Sequence, residues 1–416
     1  MVTTNLYMAI DVGTTKVCTL IAQVAPNGDL EVVGAGVESS RGMRKGRVVD
    51  LAEMRQAVRS SVALASDSLD RDCPSAFVGV TGSHISSIHT TGTLDTLNAD
   101  SQKTITRREL ELVLKQSYPV VTREQELLHV IPEWYTVDSL REVKNPVGLK
   151  GHQLTVHAHA VVGEAASLDN VVRAVEGTGV SVKSMVLEPL ASAEAVLTPE
   201  EKEAGVVLVD IGGGTSDMAV FKGGVMIHTA VIPVAGYQFT NDLAVAFAIP
   251  YESAEAAKLA YGNALPDLVD ASEMVEVAGY EGERPQHVRR RELCRLINDR
   301  GSELLRLLLL KIREAGLKTM PPAGIVFTGG AANLAGWEAL ARETIPGPIR
   351  IASPKEIPGL PMELKSPTYS TSVGILLWGI RHPSEQSEYH LSNGLKSFVK
   401  GRRWLRWLAQ FIAPKR

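Results

Sequence analysis

Two Asp-led, glycine-bearing hairpins constrain this chain of 416 residues more than any other feature. The first opens with an apolar run, residues 6–11. It continues through Val12, Gly13, Thr14, Thr15 and Lys16 into a second apolar run, residues 17–24. The second hairpin lies at residues 209–218, VDIGGGTSDM, and is entered through the apolar run 206–209. Both read apolar strand, Asp, aliphatic, Gly, small residues, Thr, apolar strand, and their aspartates, Asp11 and Asp210, are 199 positions apart. Glycine lets backbone N–H groups turn inward and approach an anion closely. An Asp at a strand end can face the divalent cation that accompanies phosphates. One such turn has a plain alternative, a tight hairpin with a solvated Asp. A repeat at domain scale predicts two related halves, each presenting a phosphate-facing hairpin.

Further along, Glu188-Pro189 opens an Ala-rich helix and residues 369–379 form a small-residue helix that could cross between the halves. The apolar strand 323–327 runs into a third Gly-rich turn, Thr328-Gly329-Gly330-Ala331-Ala332. Its bare backbone would let an adenine ring or ribose pack against it. Between the first half and this core, residues 84–162 change character. Short alternating stretches surround one helix at 107–117, capped by Thr106, and predict a small α+β insertion with its own sheet. His157 and His159 alternate along one of these strands and read as an exposed strand face. A metal site there has no obvious third ligand. Ser253 reads as the N-cap of a helix over 253–262.

Aromatic content of 5% and a net charge of −4 argue against a nucleic-acid partner. Three scattered cysteines fit a reducing cytosol with no disulfide or metal site. No signal peptide is read at the N-terminus, and no apolar run reaches the roughly 20 residues of a membrane span. The charge is uneven. Residues 396–416 hold seven Lys or Arg and no acid, which leaves the remaining body at −11. On a helix, Trp404, Leu405, Trp407, Leu408, Phe411 and Ile412 fall within an arc of about 160°, with Arg402 and Arg406 opposite and Arg403 at the flank. That is an interfacial helix suited to an anionic membrane, with Phe398 at its start and Pro414 at its end. Packing on the protein's own body is the alternative, and the polar stretch 382–397 with the two Trp argues against it.

The order of phosphate hairpin, small-residue helix, phosphate hairpin and adenosine loop resembles the actin, heat-shock chaperone and sugar-kinase superfamily. More closely, the chain resembles the FtsA family of bacterial cell-division actin homologues, over nearly its whole length. The motifs that carry this are SRGMRKG (residues 40–46), LHVIP (128–132), KNPVGLKG (144–151), VDIGGGTSDMAV (209–220), TGGAA (328–332) and STSVG (370–374). SRGM with a following KG, and NPVGL, are specific to that family.

The resemblance implies an α/β, actin-like, two-lobed ATPase fold with an inserted α+β subdomain and a C-terminal amphipathic helix. Subdomain 1A would comprise residues 1–83 with 163–193 and 359–382, and the inserted subdomain 1C residues 84–162. Subdomain 2A would comprise 194–233 with 317–358, and 2B residues 234–316, followed by a linker at 383–397 and the helix at 398–416. It implies ATP and Mg²⁺ as ligands, with Asp11 and Asp210 near the metal, through water. Gly13, Thr14, Thr15, Lys16, Gly212, Gly213, Gly214 and Thr215 would meet the phosphates. Glu255 and Lys258, at i and i+3 on one helix face, would meet ribose and adenine. Read without the resemblance, they form a surface ion pair. Gly329, Gly330 and Ala331 would lie along the adenosine. Glu188 would position an attacking water, or else only favour its helix macrodipole. Hydrolysis, with Glu188 and Asp210 as its catalytic candidates, stays open and would be slow, with nucleotide mainly a structural switch.

The implied role is a peripheral protein on the cytoplasmic face of the inner membrane at the division site. There it would tether the FtsZ ring, recruit later divisome membrane proteins and assemble with itself into filaments. A small-molecule kinase of the same superfamily is the rival. It needs a general-base Asp beside an acceptor pocket, and the sequence shows no clear candidate. A chaperone-type ATPase would need a large substrate domain after the core. The SRGM and NPVGL segments argue against a pilus-assembly relative.

Overall fold

The computed structural model describes residues 5–67, 69, 73–95, 103–281 and 284–383. The linker beyond Pro383 and the amphipathic segment 398–416, with its membrane-facing candidates Phe398 through Ile412, lie outside these residues.

Among the described residues, two five-stranded sheets share one connectivity. In the first, the antiparallel meander Asn5–Val12, Lys16–Val24 and Leu30–Ser39 is extended by the parallel strands Ala76–Val80 and Val182–Leu187. In the second, the meander Val206–Ile211, Ser216–Lys222 and Val225–Ile232 is extended by Ile325–Thr328 and Ile349–Ile351. The repeat visible in the hairpin motifs is therefore a repeat of whole sheets. Their first strands are apolar on both faces because helices cover both sides. Met8, Ala9 and Ile10, and Val206 through Val209, are at most 1% exposed.

Helices Leu51–Ser66 and Ala165–Glu176 cover one face of the first sheet, burying Met54, Val58, Leu168 and Val172 against Met8, Ile10 and Val78. Asp50 starts the former by accepting from the N–H groups of Ala52 and Glu53. Helices Glu188–Val196 and Ser370–Arg381 lie between the sheets. Their core joins Ala9 and Leu20 of the first sheet to Leu208 and Ala219 of the second. They touch backbone to backbone. A side chain on Gly374 would begin 1.9 Å from the Ala191 carbonyl oxygen, so only glycine fits the crossing. The far face of the second sheet is covered by helices Gly236–Phe247 and Arg290–Glu314. The latter turns Leu293, Ile297, Leu304, Leu305 and Leu308 inward.

Helix Tyr251–Tyr261 starts earlier than the sequence suggests, with Pro250 and not Ser253 at its cap. Pro250 holds φ near −55° in extended backbone, and a proline has no N–H to leave unpaired at a helix start. The polar stretch 382–397 begins within the folded body, at His382. Its ring is buried and stacked on Trp378, with centroids 3.9 Å apart.

The inserted block is a four-stranded antiparallel sheet in the order Leu140–Val143, Gln125–Val137, Gln153–Glu164, Ile85–Asp95. Helix Arg107–Gln116 packs on it around Leu110, Val113, Leu114, Tyr135, Leu154 and Val156. A reciprocal cap fixes that helix start, with the Glu109 carboxylate accepting from the Thr106 N–H at 2.9 Å. The strands run longer than their alternation suggests because register shifts interrupt the pattern at His157/Ala158 and Val161/Val162. The exposed-face reading of His157 and His159 fails for His159, which is fully buried. His157 is stacked on Trp134.

Candidate functional site

The two Asp-led hairpins meet tip to tip across a cleft between the lobes. Each tip is closed by the same backbone bond, Gly13 N–H to Lys16 O and Gly212 N–H to Thr215 O, both 3.0 Å. The tips interlock. A side chain on Gly213 would begin 2.3 Å from Thr15 Cγ2, and one on Gly214 would begin 2.6 Å from Thr14 Oγ1. Neither glycine has a positive φ, so close approach of the opposite hairpin, and not an unusual backbone, demands them here.

The cleft encloses about 410 Å³, within the range of small-molecule sites. Its walls bring together every residue singled out in the two hairpins, together with Glu188, Glu255, Lys258, Gly329, Gly330 and Ala331. Gly329, at φ +89°, presses on Asp210. A side chain there would begin 2.3 Å from Asp210 Oδ1, so the third Gly-rich turn also needs its first glycine for close packing. The turn leads into the 3₁₀ segment Gly330–Asn333.

The aspartates of the two lobes are held by neighbouring residues on one helix. Thr371 Oγ1 donates to Asp210 Oδ2 at 2.7 Å, and Ser372 Oγ donates to Asp11 Oδ2 at 2.5 Å. Ser192 Oγ gives Asp210 Oδ2 a second bond of 2.7 Å. Thr328 Oγ1, at the end of its strand, donates to Ser370 Oγ at 2.6 Å and anchors the same helix start. The STSVG segment thus gathers acids from both sheets to one point.

A third buried acid stands beside them. Asp217 pairs with Asp210 across the hairpin, as Cys18 pairs with Asp11 in the first copy. Its carboxylate accepts from Thr81 Oγ1 at 2.5 Å and from Thr215 Oγ1 at 3.0 Å. Asp217, Thr81, Ser192, Thr371 and Ser372 escaped the sequence reading. Asp217 was recoverable, because antiparallel pairing through a four-residue tip places it opposite Asp210. The hydroxyls were not, since the motif alone does not say which acid each one meets.

Burial pushes Asp217 up to about 7, with the negative Asp210 adding to it against the Thr81 and Thr215 hydrogen bonds. It also raises Asp210, against the hydroxyls of Ser192 and Thr371. Glu188, the first residue of its helix, is raised well above the ordinary carboxylate range, by burial first and then by Asp11, Asp217 and Asp210. Lys16 lines the same cleft as these four acids, its ammonium 5.1 Å from the Tyr369 ring centroid. Carboxylate and hydroxyl oxygens around a surplus of negative charge form a donor set for a hard divalent cation.

At the other end of the cleft, Lys258 Nζ is 2.7 Å from Glu255 Oε2 and 2.8 Å from Thr240 Oγ1. The surface-pair reading is corrected: the Lys258 side chain is only 11% exposed and the pair lines the cleft wall. Tyr237 and Tyr251 stack beside it at 5.2 Å. The N–H groups of Gly236 and Tyr237 donate to the Gly212 and Gly213 carbonyls, tying this helix to the second hairpin.

Residues 207–374 match the family described as Cell division protein FtsA, and residues 82–162 match the SHS2 domain inserted in FTSA. The Cell division protein FtsA of Pseudomonas aeruginosa is 37% identical over 382 residues, which span 92% of this chain and 91% of that protein. Among solved structures, the PilM–PilN type IV pilus biogenesis complex superposes with a TM-score of 0.65 at 17% identity, covering 90% of this chain and 98% of that one. MreB5 of Spiroplasma citri bound to ADP gives a TM-score of 0.50 at 13% identity, over 90% and 95% of the chains. At such identities the structural likenesses speak for the fold alone, which is actin-like with an inserted subdomain. The identity to the Pseudomonas aeruginosa protein, held across nine-tenths of both chains, makes this chain a member of the FtsA family of bacterial cell division proteins.

Proposed function

We propose that the cleft binds ATP with Mg²⁺, and that the nucleotide-loaded protein links FtsZ to the cytoplasmic face of the cell membrane. The observation that carries the nucleotide reading is the convergence of acids from both lobes on the start of one helix, Asp210 through Thr371 and Asp11 through Ser372. The hairpin N–H groups and Lys16 would receive the phosphates, and the Gly329–Ala331 turn with Glu255, Lys258 and the tyrosine pair would receive the nucleoside. The oxygen donors of Asp11, Asp210 and Asp217 fit Mg²⁺, which would supply positive charge against the phosphates. Glu188, facing the same space, would orient a water for slow hydrolysis.

Because ligand and metal contact both lobes, they favour one lobe arrangement over others, which makes nucleotide a switch of subunit shape. Such subunits would join head to tail, since a heterologous interface that does not close gives a filament. The segment 398–416, whose spacing on a helix would put two Trp and a Phe on one side and arginines on the other, would hold the filament on anionic lipid. The inserted subdomain would serve self-association and recruit later divisome membrane proteins.

Co-sedimentation of the full chain with anionic liposomes, FtsZ and ATP, against the same chain lacking residues 398–416, tests the anchor. The full chain is expected to bring FtsZ to the liposomes and the truncated chain to leave it in solution. Equal FtsZ recovery with both would overturn the reading.

A further inference from the structure

Outside the cleft, the inserted sheet brings together His89, Glu133 and His159. One ligand atom from each lies within 4.8 Å of the others. The pairing explains how. His159 stands directly opposite His89 on the neighbouring strand. On its other side the register jumps from His157↔Trp134 to Ala158↔Pro132, which leaves Glu133 as the extra residue of a bulge. A bulge re-aims a side chain, and here Glu133 points onto the histidine pair.

The cluster has the marks of a ligand set and not of a satisfied core. The Glu133 side chain is 2% exposed, and Oε1 is buried without a hydrogen bond. His89 Nδ1 stands 3.0 Å from that oxygen, an ion-pair contact when the ring is protonated. His159 is fully buried, with Nδ1 also lacking a hydrogen bond, while its Nε2 lies 3.4 Å from Thr229 Oγ1 on strand Val225–Ile232. Buried polar atoms are rarely left unpaired, so a group that satisfies both at once is called for. Two ligands on a tetrahedral ion at roughly 2.0–2.1 Å stand about 3.3 Å apart, close to the His89–Glu133 separation.

We propose that His89, Glu133 and His159 form a Zn²⁺ site of the two-His, one-carboxylate type. The metal would take Glu133 Oε1 and His159 Nδ1, two buried atoms without a hydrogen bond, together with His89. His89, with a 63% exposed side chain, stands at the solvent side, so the fourth position is open to water. Thr229 orients the His159 ring from the second lobe, as outer partners do for metal-bound histidines. Occupancy therefore stiffens the seam where the inserted sheet rests on the edge strand of the second sheet.

The test uses the full chain stripped of metal, then titrated with Zn²⁺ against a chromophoric chelator in excess Mg²⁺, which keeps the oxygen-lined cleft out of the measurement. A parallel titration uses Co²⁺ and its visible absorption. One equivalent of Zn²⁺ per chain is expected, with a tetrahedral-type Co²⁺ spectrum free of thiolate charge transfer. His89→Gln changes an exposed residue and should keep the fold. It and Glu133→Gln are each expected to weaken Zn²⁺ at least tenfold. The proposal is overturned if the wild type binds no stoichiometric Zn²⁺, if His89→Gln binds like wild type, or if the Co²⁺ spectrum reports a cysteine ligand.

Discussion

Thr15 stands where a side chain on Gly213 would have to begin: its methyl carbon is 2.3 Å from that position. These residues belong to hairpins from different halves of the chain, so the contact measures how closely the lobes meet over the cleft. Gly213→Ala must push one tip away. ATP affinity is expected to fall at least about tenfold, a loss of roughly 1.4 kcal/mol. Adding Thr15→Ser removes the methyl and should restore much of it. A double-mutant cycle read by nucleotide titration checks this. Additive losses would show that the tips are not in contact when nucleotide binds.

The helix start Thr371–Ser372 should matter for stability before any ligand is present. Removing a donor from a buried carboxylate costs about 1–3 kcal/mol. Ser372→Ala is expected to fall in that range by urea unfolding. Thr371→Ala should cost less, because Ser192 still donates to Asp210.

His129 gives the protein a pH dependence. Its Nε2 accepts from the Leu187 N–H at 3.1 Å, one residue before Glu188, and burial with the nearby His382 lowers it to about 4. A histidine kept neutral in the fold contributes stability that is complete above the unfolded value near 6.5 and is lost as pH falls from there toward 4. Protonation also removes the acceptor for Leu187. Urea unfolding at pH 7, 6 and 5 should show His129→Gln losing less stability than wild type on acidification. The difference in slope should approach 1.4 kcal/mol per pH unit, roughly, at its steepest.

Glu188→Gln should leave ATP binding within a factor of about two while slowing phosphate release by about 10²-fold, the usual scale of a proton-handling group. Removing one of four neighbouring acids also relieves repulsion, so the nucleotide-free protein should not lose stability. Equal turnover in the two proteins would remove Glu188 from the reaction.

The repeat was legible because its signal is local: an apolar strand, an Asp and a small-residue turn lie together in sequence. So was the inserted block, since residues 84–162 change their pattern of alternation. What escaped is what depends on pairing between distant segments. Ser372 reaches Asp11 across most of the chain, and no local pattern announces it. Glu133 looks like an ordinary strand residue until a bulge turns it onto His159. Pro250 outranks Ser253 as a cap because backbone geometry, and not side-chain preference, decides where that helix begins.

In the proposed function, acids from both lobes and both hairpins hold one metal–nucleotide pair. Equilibrium titration of the full chain with ATP, in Mg²⁺ and in excess chelator, beside Asp210→Asn in Mg²⁺, tests it most directly. Saturable one-to-one binding is expected in Mg²⁺, weakened at least about tenfold both by chelation and by the substitution. ATP affinity unchanged by both, or no saturable binding at all, would rule out a shared metal–nucleotide site.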